Sequence, residues 1–143
     1  MVEKRGRSGK EKKRTILVVD DEIGIVSFLY DFFVRKGYDV LQATDANSAL
    51  QTVKKENPDL VLLDIKLGHG KSGIDVLREI KEIKPRQRVI MMTGVTDKKV
   101  INEAFRLGAD DYMVKPFSLQ YLERVVALKI LTLEIERIGE GGG

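Results

Sequence analysis

From Thr15 onward, short runs of Val, Ile and Leu alternate with longer stretches in which apolar residues recur every three or four positions. Runs such as ILVV and VIMM are apolar at every position, as a strand covered on both faces must be, whereas a strand with one wet face alternates. Five strands are expected on that basis: Thr15 to Asp20, Tyr38 to Gln42, Asp59 to Asp64, Arg88 to Thr93 and Asp110 to Lys115. Helical stripes fill the intervals: Ile25, Phe28, Leu29 and Phe32, then Ala46, Ala49, Leu50 and Val53, then Val76, Leu77, Ile80 and Ile83. Gly37 and Gly108 stand where left-handed caps end helices, and Ser72 and Thr96 where N-caps begin them. Pro58 and Pro85 follow helical segments that they cannot continue. Strand and helix in regular alternation predict a mostly parallel sheet with helices on both faces, a doubly wound α/β sandwich.

The last helical stretch stands out, because its apolar pattern runs from Leu119 through Leu122, Val125, Val126 and Leu128 to Leu131, Leu133, Ile135 and Ile138. Twenty residues at 1.5 Å each make about 30 Å, more than is needed to cover a strand of ordinary length. Either its last turns project as a dimerising or linking helix, or the helix packs back on the body.

Composition narrows the class. Of 143 residues, 43% are hydrophobic and 33% charged, which supports one packed domain and excludes a disordered chain. There is no cysteine, which excludes disulfide scaffolds, thiolate metal sites and cysteine nucleophiles. No apolar run approaches the length of about 20 residues that spans a membrane, and the charged N-terminus is not a secretory signal, so a cytoplasmic protein is expected. The net charge of +3 is unevenly placed: residues 1–14 form a basic, flexible tail of net +5, which leaves the remainder at −2. Nucleic-acid binding by the body itself is therefore not expected.

In an open α/β sheet, ligands bind beyond the carboxyl ends of the strands, where the strand order reverses. Those ends are polar here: Asp20 and Asp21 after the first strand, Asp64 after the third, Thr93 at the fourth and Lys115 at the fifth. In a flavodoxin-like (βα)5 order of 2-1-3-4-5, the first and third strands are neighbours and three carboxylates share one pocket. Such a group is costly to ionise unless a cation intervenes, and hard oxygen ligands suit Mg²⁺ or Mn²⁺. Carboxylate nucleophile, cation, hydroxyl and ammonium together are what phosphoryl transfer requires.

The motifs ILVVDDE, LVLLD, VIMMTG and GADDYMVKPF closely resemble the receiver domains of response regulators in two-component (phosphorelay) signalling, over about residues 15–131, with residues 132–143 left as a helical extension and Gly-rich end. The resemblance implies that Asp64 takes a phosphoryl group from the phosphohistidine of a sensor kinase or histidine phosphotransfer protein. It implies that Asp21 and Asp64 bind the metal directly, Asp20 through water and Lys66 by its backbone carbonyl. Thr93 is then the switch hydroxyl, Lys115 the phosphoryl-pairing ammonium, Tyr112 the aromatic switch, and Pro116 the second residue of a cis peptide that aims Lys115. By the same resemblance the chain is a switch rather than a turnover enzyme, signalling to a partner or output domain through its fourth helix, fifth strand and fifth helix.

The chain departs from that family after Asp64. It reads DIKLGHGKSG, with Gly68 where a proline is usual and Gly73 nine residues on, a longer and more flexible loop. Lys66 and Val95 flank the path of attacking water in the family and offer nothing to orient it, so slow self-dephosphorylation is expected. His69 reads as an exposed loop residue, and GRSGKE in the tail lacks the spacing of a phosphate-binding loop. Arg106 stands where an acidic residue often serves dimer contacts in transcription-factor receivers, and with Lys98, Lys99, Asn102 and Tyr112 it outlines a basic, partner-facing patch. Two alternatives remain: a pseudo-receiver that acts only as an interaction module, and an aspartyl phosphohydrolase, which would need a carboxylate where Lys66 stands.

Overall fold

A computed structural model of the chain describes residues 13–68 and 70–142, with side chains as far as Ile138. Strands β1 (Thr15–Val19), β2 (Asp39–Ala43), β3 (Leu60–Leu63), β4 (Arg88–Thr93) and β5 (Asp111–Val114) alternate with five helices. These are α1 (Ile23–Arg35), α2 (Ala46–Glu56), α3 (Gly73–Ile83), α4 (Lys98–Arg106) and α5 (Leu119–Gly142). The strands are all parallel, in the order β2-β1-β3-β4-β5. This is the flavodoxin-like arrangement, and it makes β1 and β3 neighbours, with Val19 opposite Leu63. The residues that follow each strand, Asp20 and Asp64, therefore leave the sheet side by side.

Alternate residues of each strand enter two separate cores. Leu17, Val19, Val61, Leu63, Val89 and Met91 pack with α2, α3 and α4, while Ile16, Val18, Leu60, Leu62, Ile90 and Met92 pack with α1 and α5. All twelve are fully buried, which is why the strands read as unbroken apolar runs.

The helices follow their stripes with two adjustments. α1 turns Val26, Leu29 and Phe33 inward, and Phe28, expected in the buried stripe, is exposed. Apolar residues occupy most of the circumference of α1, so spacing alone does not fix its rotation. Ile83, at the end of the α3 stripe, is also exposed. Ser72 begins α3 as expected: its hydroxyl accepts from the Asp75 amide, and the Asp75 carboxylate accepts from the Ser72 amide. Thr96 does not cap α4. Asp97, one residue later, accepts from the Lys99 amide at 2.9 Å, since a carboxylate suits the positive end of a helix better than a hydroxyl. Gly37 and Gly108 take left-handed φ angles of 97° and 105° behind α1 and α4, and Asn57 does the same for α2.

α5 packs back on the body through Arg137. Arg14 pairs with Asp59 and Glu134, Arg88 with Asp110 and Glu136, and Arg137 lies 4.0 Å from Asp59. These ion pairs sit where β1, β3 and β4 begin, at the sheet edge opposite Asp64. Arg14, counted with the basic tail in sequence, is thus fastened into the fold. Residues 1–12 of the tail and His69 lie outside the described residues. Among the described residues, no helix is long and apolar enough to cross a membrane.

Candidate functional site

The carboxyl ends of β1, β3, β4 and β5 converge on Lys115. Its ammonium donates to Asp20 Oδ2 at 2.7 Å and to Asp64 Oδ2 at 3.2 Å. Asp20 is fully buried, and its other oxygen accepts from the Glu22 amide at 3.0 Å. Asp64 is buried as well, with its second oxygen 3.4 Å from the Lys66 amide. Asp21 is exposed and adds a third carboxylate, so that one oxygen from each aspartate lies within 4.8 Å of the others.

The charges in this pocket are unbalanced. Burial pushes the Asp20 carboxyl above its ordinary range, against the pull of Lys115 and the Glu22 amide, and the negative charge of Asp64 adds to the rise. Burial alone would lower Lys115, yet Asp20 and Asp64 outweigh it and hold the ammonium above its usual value. One ammonium therefore faces three carboxylates. A small divalent cation with oxygen preference fits that donor set, and the exposed Asp21 leaves the group open to solvent on one side.

The loop after Asp64 is shaped by three glycines. Gly68 and Gly70 have φ of 78° and 89°, and a proline at 68 is excluded because its ring holds φ near −65°. Gly73 meets a different constraint: its amide donates to the Ile65 carbonyl at 2.6 Å, and a Cβ there would stand 2.0 Å from the Asp64 carbonyl oxygen. The N-terminus of α3 thus rests directly on the backbone of Asp64. In sequence Gly73 signals only loop length, because this contact joins residues nine apart through a reversal of the chain.

Thr93 is fully buried at the end of β4. Its hydroxyl accepts from the Val95 amide at 3.4 Å, while its carbonyl accepts from the Lys115 amide at 2.8 Å. The Tyr112 hydroxyl donates to the Val95 carbonyl at 2.7 Å, and burial pushes this phenol up, with the charges of Asp64 and Asp97 adding to the effect. The structure thus joins Asp20, Asp21, Asp64 and Lys115 in one group and places Thr93 and Tyr112 on either side of Val95. The Lys115–Pro116 peptide is cis. Lys66 is exposed and Val95 half-buried.

On α4, Lys98, Lys99, Asn102 and Arg106 are exposed, but Arg106 and Arg78 both pair with Glu103, which reduces the positive charge of the patch. Sequence reasoning missed Phe105, an exposed ring 6.5 Å from that of Tyr112. It stands three residues after Asn102 on the same surface, and that helical spacing was the available signal.

A family model described as the response regulator receiver domain matches residues 16–127. Sporulation initiation phosphotransferase F of Bacillus subtilis strain 168 is 41% identical over 111 residues, covering 78% of this chain and 89% of that protein. The alkaline phosphatase synthesis transcriptional regulatory protein PhoP of the same organism is 42% identical over 107 residues, covering 73% of this chain and 43% of that longer protein. Among solved structures, a CheY-like response regulator receiver domain protein from Methanospirillum hungatei JF-1 is similar with a TM-score of 0.84. It is 29% identical, covering 87% of this chain and 99% of that one.

Proposed function

Because the chain belongs to the response regulator receiver family of two-component signalling, we propose that Asp64 is its phosphoacceptor and that phosphorylation resets the α4-β5-α5 surface toward a partner or output domain. The observation that carries this reading is the Lys115 bridge between the buried Asp20 and Asp64, beside Asp21, at the point where the strand order reverses.

In the proposed transfer, an Asp64 carboxylate oxygen attacks the phosphorus of a phosphohistidine. The new O–P bond forms as the P–N bond breaks, and the imidazole leaves with that electron pair. Lys115 already holds Asp64 Oδ2, which keeps the acceptor in one orientation, and its ammonium is placed to pair with the arriving phosphoryl oxygens. Asp21 and Asp64 directly, Asp20 through water and the Lys66 carbonyl would hold Mg²⁺ or Mn²⁺, which when bound neutralises charge on the transferring group. Thr93 turns its hydroxyl toward the new anion, and Tyr112 turns inward behind it. The acceptor state then differs from the resting state by a strong charge and two rotamers, enough to shift a two-state population.

The donor is a sensor histidine kinase or a histidine phosphotransfer protein, and the setting is the cytoplasm. The chain is a switch that promotes only its own phosphorylation and slow dephosphorylation. Lys66, standing where an acid/base carboxylate would be needed, weighs against a phosphohydrolase.

Intact mass after incubation with acetyl phosphate, with and without Mg²⁺, tests the assignment on the parent and on Asp64→Asn. A metal-dependent gain of one phosphoryl group in the parent alone supports it. A parent that gains nothing and also fails to bind beryllofluoride refutes it and favours a pseudo-receiver.

A further inference from the structure

A cleft of about 610 Å³ opens between α5 and the turn that joins α3 to β4, at the sheet edge opposite Asp64. That volume falls within the range of about 300–1,000 Å³ typical of small-molecule sites. Lys81, Arg86, Arg88 and Arg137 line the cleft against one carboxylate, Glu136, and the apolar part of the wall is Pro85 and Leu133. The wall therefore carries a formal charge of +3, although residues 15–143 as a whole carry −2. A second hollow of about 240 Å³ shares Arg86, Arg88 and Leu133 with the first, and adds Lys84 and Asp59.

The fold compensates these cations incompletely. Arg88 gives Nη1 to Asp110 and Nη2 to Glu136, yet its Nε is buried with no acceptor among the described residues. Lys81 is half-buried and donates to the Gln87 carbonyl at 2.5 Å rather than to a carboxylate. Burial pushes its ammonium below the ordinary value; Asp110 opposes that fall and Arg88 adds to it. The Arg137 side chain is 64% exposed and reaches Asp59 only at 4.0 Å.

We propose that this cleft binds a ligand with two linked phosphates, either a free polyphosphate or the diphosphate of a nucleotide. Each terminal phosphate carries about −1.5 to −2 near neutral pH, so two of them offset the charge of the wall, which a single carboxylate does not. Guanidinium groups meet phosphate oxygens through paired, parallel hydrogen bonds, and Arg86 and Arg137 approach the cleft from two different elements, the turn and α5. Lys81 adds an ammonium from α3, and Glu136 is the one lining group of the larger cleft that repels the anion. Two phosphates fill only part of the volume, and Pro85 and Leu133 offer apolar contact to the rest of a larger ligand. The ligand ties α5 to the turn before β4, far from the acceptor chemistry, so Asp64→Asn binds it as the parent does.

Calorimetric titration of the full chain with orthophosphate, pyrophosphate and ADP, without divalent metal, tests this. Pyrophosphate binds with a dissociation constant below about 1 mM and orthophosphate more weakly. ADP that binds more tightly than pyrophosphate marks a nucleotide as the source, and ADP that binds no more tightly marks a free polyphosphate. The Arg86→Gln, Arg137→Gln double variant, altered at two exposed positions, weakens binding about tenfold. Glu136→Gln, which removes the repelling charge, tightens it about threefold. Three results would each overturn the inference: a parent that binds neither pyrophosphate nor ADP up to about 1 mM, undiminished binding in the double variant, which assigns the anion to the basic residues 1–14, or a glutamate-rich peptide bound more tightly than either phosphate. If the double variant melts well below the parent, Glu136→Gln decides, and an unchanged affinity there refutes the site.

Discussion

Replacing Gly73 by alanine sets helix propensity against a backbone contact, and the two predict opposite signs. Gly73 is the first residue of α3 and its φ is not left-handed, so propensity alone favours alanine by about 0.4–1 kcal/mol. The added Cβ, however, would stand 2.0 Å from the Asp64 carbonyl oxygen, 2.6 Å from Ile65 Cα and 2.8 Å from the Asp64 carbonyl carbon. Ordinary contact begins near 3.4 Å, and all three neighbours are backbone, with no rotamer to turn aside. α3 must therefore retreat by more than an ångström, stretching the 2.6 Å bond from the Gly73 amide to Ile65 and disturbing the Ser72–Asp75 cap. Overpacking of this kind costs about 1–3 kcal/mol, and after the propensity gain a net loss of about 1–2 kcal/mol remains. With a urea slope of about 1–3 kcal/mol per molar, the unfolding midpoint falls by about 1 M. Phosphorylation by acetyl phosphate slows as well, since Asp64 shifts with its own backbone. A midpoint that is unchanged or raised would refute the reasoning.

Divalent metal should stabilise the fold in a pH-dependent way. Because Asp20 is pushed up on folding, its contribution to stability is present below the ordinary carboxylate range and is lost as the pH rises through the raised value. Mg²⁺ at ten times its dissociation constant adds about 1.4 kcal/mol at neutral pH, a few degrees of melting temperature, and less near pH 5, where protons compete. An equal effect from NaCl at matched ionic strength would count against the site. On the proposed shielding of the phosphoryl group by Lys66 and Val95, Val95→Glu, which places a water-orienting carboxylate there, should hasten loss of phosphate about tenfold, and Lys66→Ala should hasten it less. The decay of the phosphorylated mass measures both, and decay no faster than the parent's would dismiss the shielding argument.

The sheet was legible because buried parallel strands must be apolar at every position, and the site was legible because polar residues end those same runs. Asp20, Asp64 and Lys115 follow from that pattern together with the strand order alone. The rotation of α1 did not, because Ile25, Phe28, Leu29 and Phe32 share the helix with Val26 and Phe33, and apolar periodicity has no phase when nearly every face is apolar. Thr96 misled because one residue separates two acceptable caps, and the choice depends on where the loop leaves β4. Arg14 reads as one more cation of a basic stretch until Asp59 and Glu134, 45 and 120 residues away, are seen beside it. The contact of Gly73 with Asp64 is likewise invisible to any local rule.

Val95 carries one further consequence. Its amide meets the Thr93 hydroxyl and its carbonyl receives the Tyr112 hydroxyl, so a single residue anchors both proposed switch side chains. Thr93 holds the peptide before Val95 and Tyr112 the peptide after it, so the departure of either side chain loosens a residue that the other also engages. At about 0.5–1.5 kcal/mol for each hydrogen bond, the pair biases the resting arrangement by roughly 5- to 160-fold. On the proposed switch, the background signal of the unphosphorylated protein depends on this one loop residue, and loosening the loop is expected to raise that signal while Asp64 still takes up phosphate.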